Sequence, residues 1–135
     1  MHHTQNGSAA RTTLIVLAAI GAFIAVAVML LPKGFSSDTS IIGRGSNVVV
    51  LAHNKDSVYS LNLMDIMNQV RGDYTGRIDF VVADANTPRG RAFIEKQQVE
   101  LGTLLLFGPD GTRRGVVNAI KNQTELRTTL DSIFK

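Results

Sequence analysis

Asn47–Ser60, NVVVLAHNKDSVYS, decides how the rest of the chain is read. Its first seven residues are a short apolar run closed by His53, the pattern of a strand covered on both faces. Asn54 and Lys55 turn the chain, Asp56 is placed to cap a helix, and a helical pattern follows from Ser57 to about Arg71. A buried strand that hands a polar loop to a helix start opens an α/β domain.

Downstream the alternation continues. RIDFVVADA (Arg77–Ala85) reads as a second strand, and Thr87-Pro88 as a cap with proline at the first position of a helix running to about Val99. GTLLLFG (Gly102–Gly108) is a third strand. Pro109-Asp110-Gly111-Thr112 turns tightly into RRGVVNA (Arg113–Ala119), which makes a hairpin with it. Asn122 with Glu125 forms a capping box for a last helix, whose Leu126, Leu130, Ile133 and Phe134 recur at helical spacing. The order is β-α-β-α-β-β-α. Parallel strands joined by right-handed helical crossovers and closed by a hairpin predict an α/β fold, a four-stranded mixed sheet with helices on both faces.

Upstream, Pro32–Ser46 (PKGFSSDTSIIGRGS) is rich in Gly and Ser and reads as a linker, with Ile41-Ile42 free to touch a membrane surface or the domain. Before it, Leu14–Leu31 (LIVLAAIGAFIAVAVMLL) carries no charge, and Thr12 and Thr13 extend it. About 20 residues at about 1.5 Å each cross one hydrocarbon core of about 30 Å. A cleaved signal peptide would have a shorter apolar region and a small-x-small site close behind, and Pro32 to Ser37 offers a poor one. The expected organisation is a tail over 1–11, a transmembrane helix over 12–31, a linker over 32–46 and a domain over 47–135. Arg11 before the span and Lys33 and Arg44 after it barely discriminate orientation. A short tail without acids before an uncleaved anchor predicts a single pass through a cell inner membrane with the C-terminal domain periplasmic. Ala18, Gly21, Ala22 and Ala25 share one helix face at small-xxx-small spacing, a candidate transmembrane contact; alanine is also simply common in such helices.

The charge balance excludes some partners. Lys plus Arg number 14 against 11 Asp plus Glu, a formal +3, interleaved along the chain as an ordinary solvated surface with a mild attraction to anionic lipid heads. Nucleic-acid binding wants a basic stripe with aromatics along it, and two Tyr with no Trp do not supply one. Cysteine is absent, which rules out a disulfide, a thiolate nucleophile, an iron–sulfur cluster and a zinc–thiolate site. Met1-His2-His3 has the amine and imidazole that a square-planar copper or nickel site uses, but an incidental pair of histidines is the simpler reading and no metal is expected.

The element order, with Tyr74-Thr75-Gly76-Arg77 before the second strand, Thr103–Phe107 as the third and Gly111 in the hairpin turn, resembles the thioredoxin superfamily over nearly all of residues 47–135. In that register the family's Cys-x-x-Cys falls on Ser57-Val58-Tyr59-Ser60. The proline that is cis in the family falls on Gly102, the buried acid of the first strand on Leu51 and its accompanying lysine on Val82. Serine hydroxyls do not provide the thiolate that disulfide exchange requires. With the whole redox apparatus missing together, the resemblance implies the fold without its chemistry, and no cofactor.

The loops still deserve a chemical reading. The C-terminal strand edge offers His53, Asn54, Asp56 and Ser57 from one loop and Asp84 and Asn86 from another, nominally a Ser–His–Asp set. No Gly-x-Ser-x-Gly elbow accompanies it, and such residues commonly serve as caps and turns, so a hydrolase using Ser57 is the weakest expectation. In the helix after Ser57, Tyr59, Leu63, Ile66, Met67 and Val70 form the expected core face. Leu61 and Met64 fall outside it and, with Val58, make a candidate protein-binding patch extended by Gly102 and Thr103. The expected function is a non-catalytic accessory or assembly subunit of a membrane protein complex, its partners being that complex's subunits and the lipid bilayer. The alternative is a membrane-tethered chaperone or peptide-binding module at the former substrate groove.

Overall fold

The computed structural model describes residues 6–31 and 34–135, so the Met1-His2-His3 tail and the Pro32-Lys33 step lie outside the described residues. The chain forms two compact units, divided after Gly34.

The first unit is one helix, α1 (Asn6–Leu30). Its stretch Gly7–Leu30 is long and apolar enough to cross a membrane. It starts earlier than the apolar pattern alone suggests. The Thr12 and Thr13 hydroxyls donate to the carbonyls of Ser8 and Ala9, at 2.9 and 2.8 Å, so both fit an apolar helix with their protons satisfied. Ala18, Gly21, Ala22 and Ala25 are exposed along it.

The second unit is the α/β domain: β1 (Asn47–His53), α2 (Val58–Val70), β2 (Ile78–Asp84), α3 (Pro88–Gln97), β3 (Thr103–Phe107), β4 (Arg113–Val117) and α4 (Gln123–Ile133). The strand order is β2-β1-β3-β4. β1 pairs parallel with β2, antiparallel with β3, and β3 antiparallel with β4. One sheet face packs under α2 and α4 through Val49, Leu51, Leu63, Met67, Leu126 and Leu130. The other packs under α3 through Val48, Val50, Val81, Ile94 and Phe107. Strands buried on both faces explain the unbroken apolar runs.

Two expectations need correcting. A crossover returning a parallel strand describes the β1–α2–β2 step only. β3 begins beside Ala52, at the edge where β2 also leaves the sheet, so α3 starts and ends at one sheet edge and β3 runs back along β1. α3 stops at Gln97 because Gln98 turns left-handed at φ 54, which starts that return.

The second correction concerns the linker. From Phe35 the chain belongs to the domain. Phe35 packs on the α2/α4 core, and the Arg71 guanidinium lies over its ring at 4.4 Å. Ser36 bridges to Val81 and its carbonyl accepts the Val82 N–H at 2.9 Å. A 3-10 turn over Thr39–Ile41, capped by Asp38, then brings Ile41 and Ile42 against the α3-side core. Composition rich in Gly and Ser concealed the docking of Phe35, while Ile41 and Ile42 take the domain side of the two placements open to them.

Candidate functional site

The sheet edge at the ends of β1 and β2 collects the residues in question. α2 begins where it does because Ser57 adopts extended backbone and its Oγ accepts the Ser60 N–H at 3.2 Å. The cap is therefore Ser57 rather than Asp56, whose own N–H donates to Asn54 Oδ1 at 3.0 Å. One turn into α2, Ser60 is fully buried. Its Oγ lies 2.7 Å from His53 Nδ1 and accepts the Asn54 N–H at 3.1 Å. A neutral imidazole that takes the Ser60 proton at Nδ1 satisfies all three groups. Burial pushes His53 below the usual imidazole value, with the Asp84 carboxylate pulling the other way. Asp84 stands beside His53 in the β1–β2 register and accepts the Asn86 N–H at 2.8 Å. That backbone hydrogen bond is the first cause holding its carboxyl below the ordinary range.

The nominal Ser–His–Asp set is thus not assembled around Ser57. The serine that meets His53 is Ser60, closed off inside the domain, and the link it makes ties the end of β1 to the first turn of α2. Ser60 shares a face with Leu63 and Met67, at i, i+3 and i+7, which is the signal that assigns it to the interior. Among the described residues, no three His, Asp or Glu side chains converge as metal ligands.

Gly102 has φ +82, a conformation glycine adopts without penalty, and its N–H donates to the Ala52 carbonyl at 2.8 Å. A Cβ placed on Gly102 would come 2.8 Å from the ring of Tyr59. Tyr59, read from the sequence as core, is instead 40% exposed and lies over Gly102. The neighbours Val58 and Tyr59 therefore behave differently: Val58 points into solvent at 82% exposure while Tyr59 covers the next loop.

Leu51 and Val82 are register partners on adjacent strands and are both buried in the same core. The pair is apolar, so no buried ion at this point has to be stabilised.

The patch around Val58 is smaller than expected at one end and larger at another. Leu61 is 46% exposed and Leu101, next to Gly102, is 44% exposed. Met64 is only half exposed because it packs against the α2/α4 core. Gly102 and Thr103 are buried, so neither presents a side chain to a partner. The surface at this edge comprises Val58, Tyr59, Leu61 and Leu101.

No family model matches the chain, and no curated protein matches its sequence. Solved structures match its shape. Thioredoxin O2 from Arabidopsis thaliana in its oxidised state superposes with a TM-score of 0.60 at 13% identity, covering 71% of this chain and 85% of that one. A thioredoxin-like protein from Clostridium perfringens gives 0.63 at 12% identity, covering 73% and 79%, and a malarial protein 0.58 at 15%, covering 67% and 99%. The domain has the thioredoxin-like fold.

Proposed function

We propose that this chain is a redox-inactive, membrane-anchored protein whose thioredoxin-like domain serves as a non-catalytic accessory or assembly subunit of a membrane protein complex. The observation that carries this reading is the state of the former motif. Both of its serine hydroxyls are spent on internal hydrogen bonds, while the residue beside them, Val58, and Leu61 one turn on are apolar and exposed. An edge without a nucleophilic sulfur and with outward apolar side chains is suited to binding rather than exchange. α1 supplies location: it would hold the domain in a cell inner membrane, on the periplasmic side, and confinement raises the effective concentration of a weak contact. Exposed small residues Ala18, Gly21, Ala22 and Ala25 fit a transmembrane partner.

A peptide-capturing chaperone is the less favoured reading, because Tyr59 already covers the Gly102 backbone where an extended client would lie. Extraction of the native membrane in mild detergent tests the proposal. A stoichiometric companion is the expected result, and a protein that runs as a free monomer would overturn it.

A further inference from the structure

We propose that the domain edge at which the chain arrives from the apolar helix, around Ser37, rests on the headgroups of anionic phospholipids. The inference deepens the anchored reading above and depends on it. Phe35 is held by the core, by the Arg71 guanidinium over its ring and by the neighbouring Ser36–Val82 hydrogen bond, so the domain leaves no slack after residue 34. Residues 31–34 alone separate Phe35 from the last residue of α1, Leu30. Five extended steps from Leu30 to Phe35 reach at most about 18 Å. With α1 in a bilayer, so short a tether lets this edge come within one Debye length of the headgroup charge, about 8 Å, where the attraction acts.

The side chains here suit that surface. Arg89 and Lys96 are exposed and line a cleft with Ser37 and Asp38. Arg44 and Arg89 both act on the Asp38 carboxylate, and Arg71 flanks the opposite sheet face. Against these cations stand Asp38, Asp84 and Asp79, the last exposed on β2 two residues before Val81. Asp38 is exposed and accepts the Ser40 N–H and hydroxyl at 3.0 and 2.6 Å, and Asp84 accepts the Asn86 N–H at 2.8 Å. The balance is positive. The opposite edge strand, β4, is three strands away.

Because the chain has no cysteine, one introduced thiol labels one site. Full-length Ser37→Cys and Val116→Cys proteins, each carrying a fluorophore, are reconstituted in phosphatidylcholine vesicles with and without phosphatidylglycerol, all containing a headgroup-linked quencher. The label at position 37 should be quenched more than that at 116. The contrast should grow with phosphatidylglycerol, collapse in high salt, and lose about fivefold in docked population for each basic residue neutralised, as in Arg89→Gln and Lys96→Gln. Equal quenching at the two positions, or a contrast indifferent to lipid charge and salt, overturns the proposal. Vesicle flotation after an alkaline wash reads the anchor separately. A chain left behind rejects anchoring itself, while one that floats with equal quenching rejects only the docking.

Discussion

Replacing Ser60 by alanine would strand two buried groups at once, His53 Nδ1 and the Asn54 N–H. An unmatched buried polar group costs about 1–3 kcal/mol, so Ser60→Ala should cost at least that in a urea titration of the detergent-solubilised chain. Ser57→Ala loses only a cap, about 1 kcal/mol. Reversed magnitudes would mean that the interior link is misassigned. His53 adds a pH dependence. Its native value is depressed, so the unfolded chain binds a proton that the native chain refuses once pH falls below about 6.5. Stability is therefore present above that value and lost as pH falls toward the native one. Urea midpoints at about pH 7.5 and about pH 5.5 should show a drop that His53→Asn, which keeps an acceptor near Nδ1, removes. Asp38, Asp84 and Asp110 are also depressed, but from the carboxylate value of 3.8, so they act in a lower window. The sequence revealed that the chain has no cysteine and that two serines, Ser57 and Ser60, stand at the start of α2. It did not reveal which serine meets His53, because hydrogen bonding between a strand end and a helix turn depends on their approach, and periodicity is silent on approach. Tyr59 was misread for the same reason: the helical wheel puts it beside Leu63, while the gap above Gly102 draws it outward.

Elements were legible wherever a local rule acts within a few residues. Thr87 caps α3 through its Oγ1 on the Gly90 N–H at 3.1 Å, with proline first in the helix as the pattern required. Asn122 caps α4 on the Glu125 N–H at 2.9 Å, although the return bond of Glu125 reaches Lys121 rather than Asn122 itself. The direction of β3 and the docking of Phe35 were not legible, since both depend on contacts distant in sequence, and for Ile41 and Ile42 membrane and domain both stayed open. Close approach between elements gives the sharpest test at this scale. A Cβ on Gly90 would sit 2.0 Å from the Asp84 carbonyl oxygen, where the start of α3 presses on the end of β2. Gly90→Ala should cost about 3 kcal/mol or more in the same titration, because backbone rather than a flexible tip must move. Gly102→Ala meets a left-handed φ and the Tyr59 ring together. It should cost about 1–3 kcal/mol, and less in a Tyr59→Ala background, where only the backbone strain remains. Strict additivity in that cycle would show that the ring does not rest on Gly102.

The whole molecule is an apolar helix, a thioredoxin-like domain without cysteine, and an edge whose serine hydroxyls are hydrogen-bonded within the domain while Val58 and Leu61 face outward. The fold rests on many residues and was readable from their alternation; the partner rests on a few exposed ones and was not. Removing outward side chains should leave stability within about 0.5 kcal/mol, the range for surface substitutions away from caps and cores. Leu61→Ser is therefore expected to lower recovery of the stoichiometric companion from mild detergent while leaving the urea midpoint in place. A photo-crosslinker placed at Leu61 in native membranes puts the question most directly. One dominant adduct of fixed mass is the result this account predicts; a ladder of many adducts, or none, would contradict it.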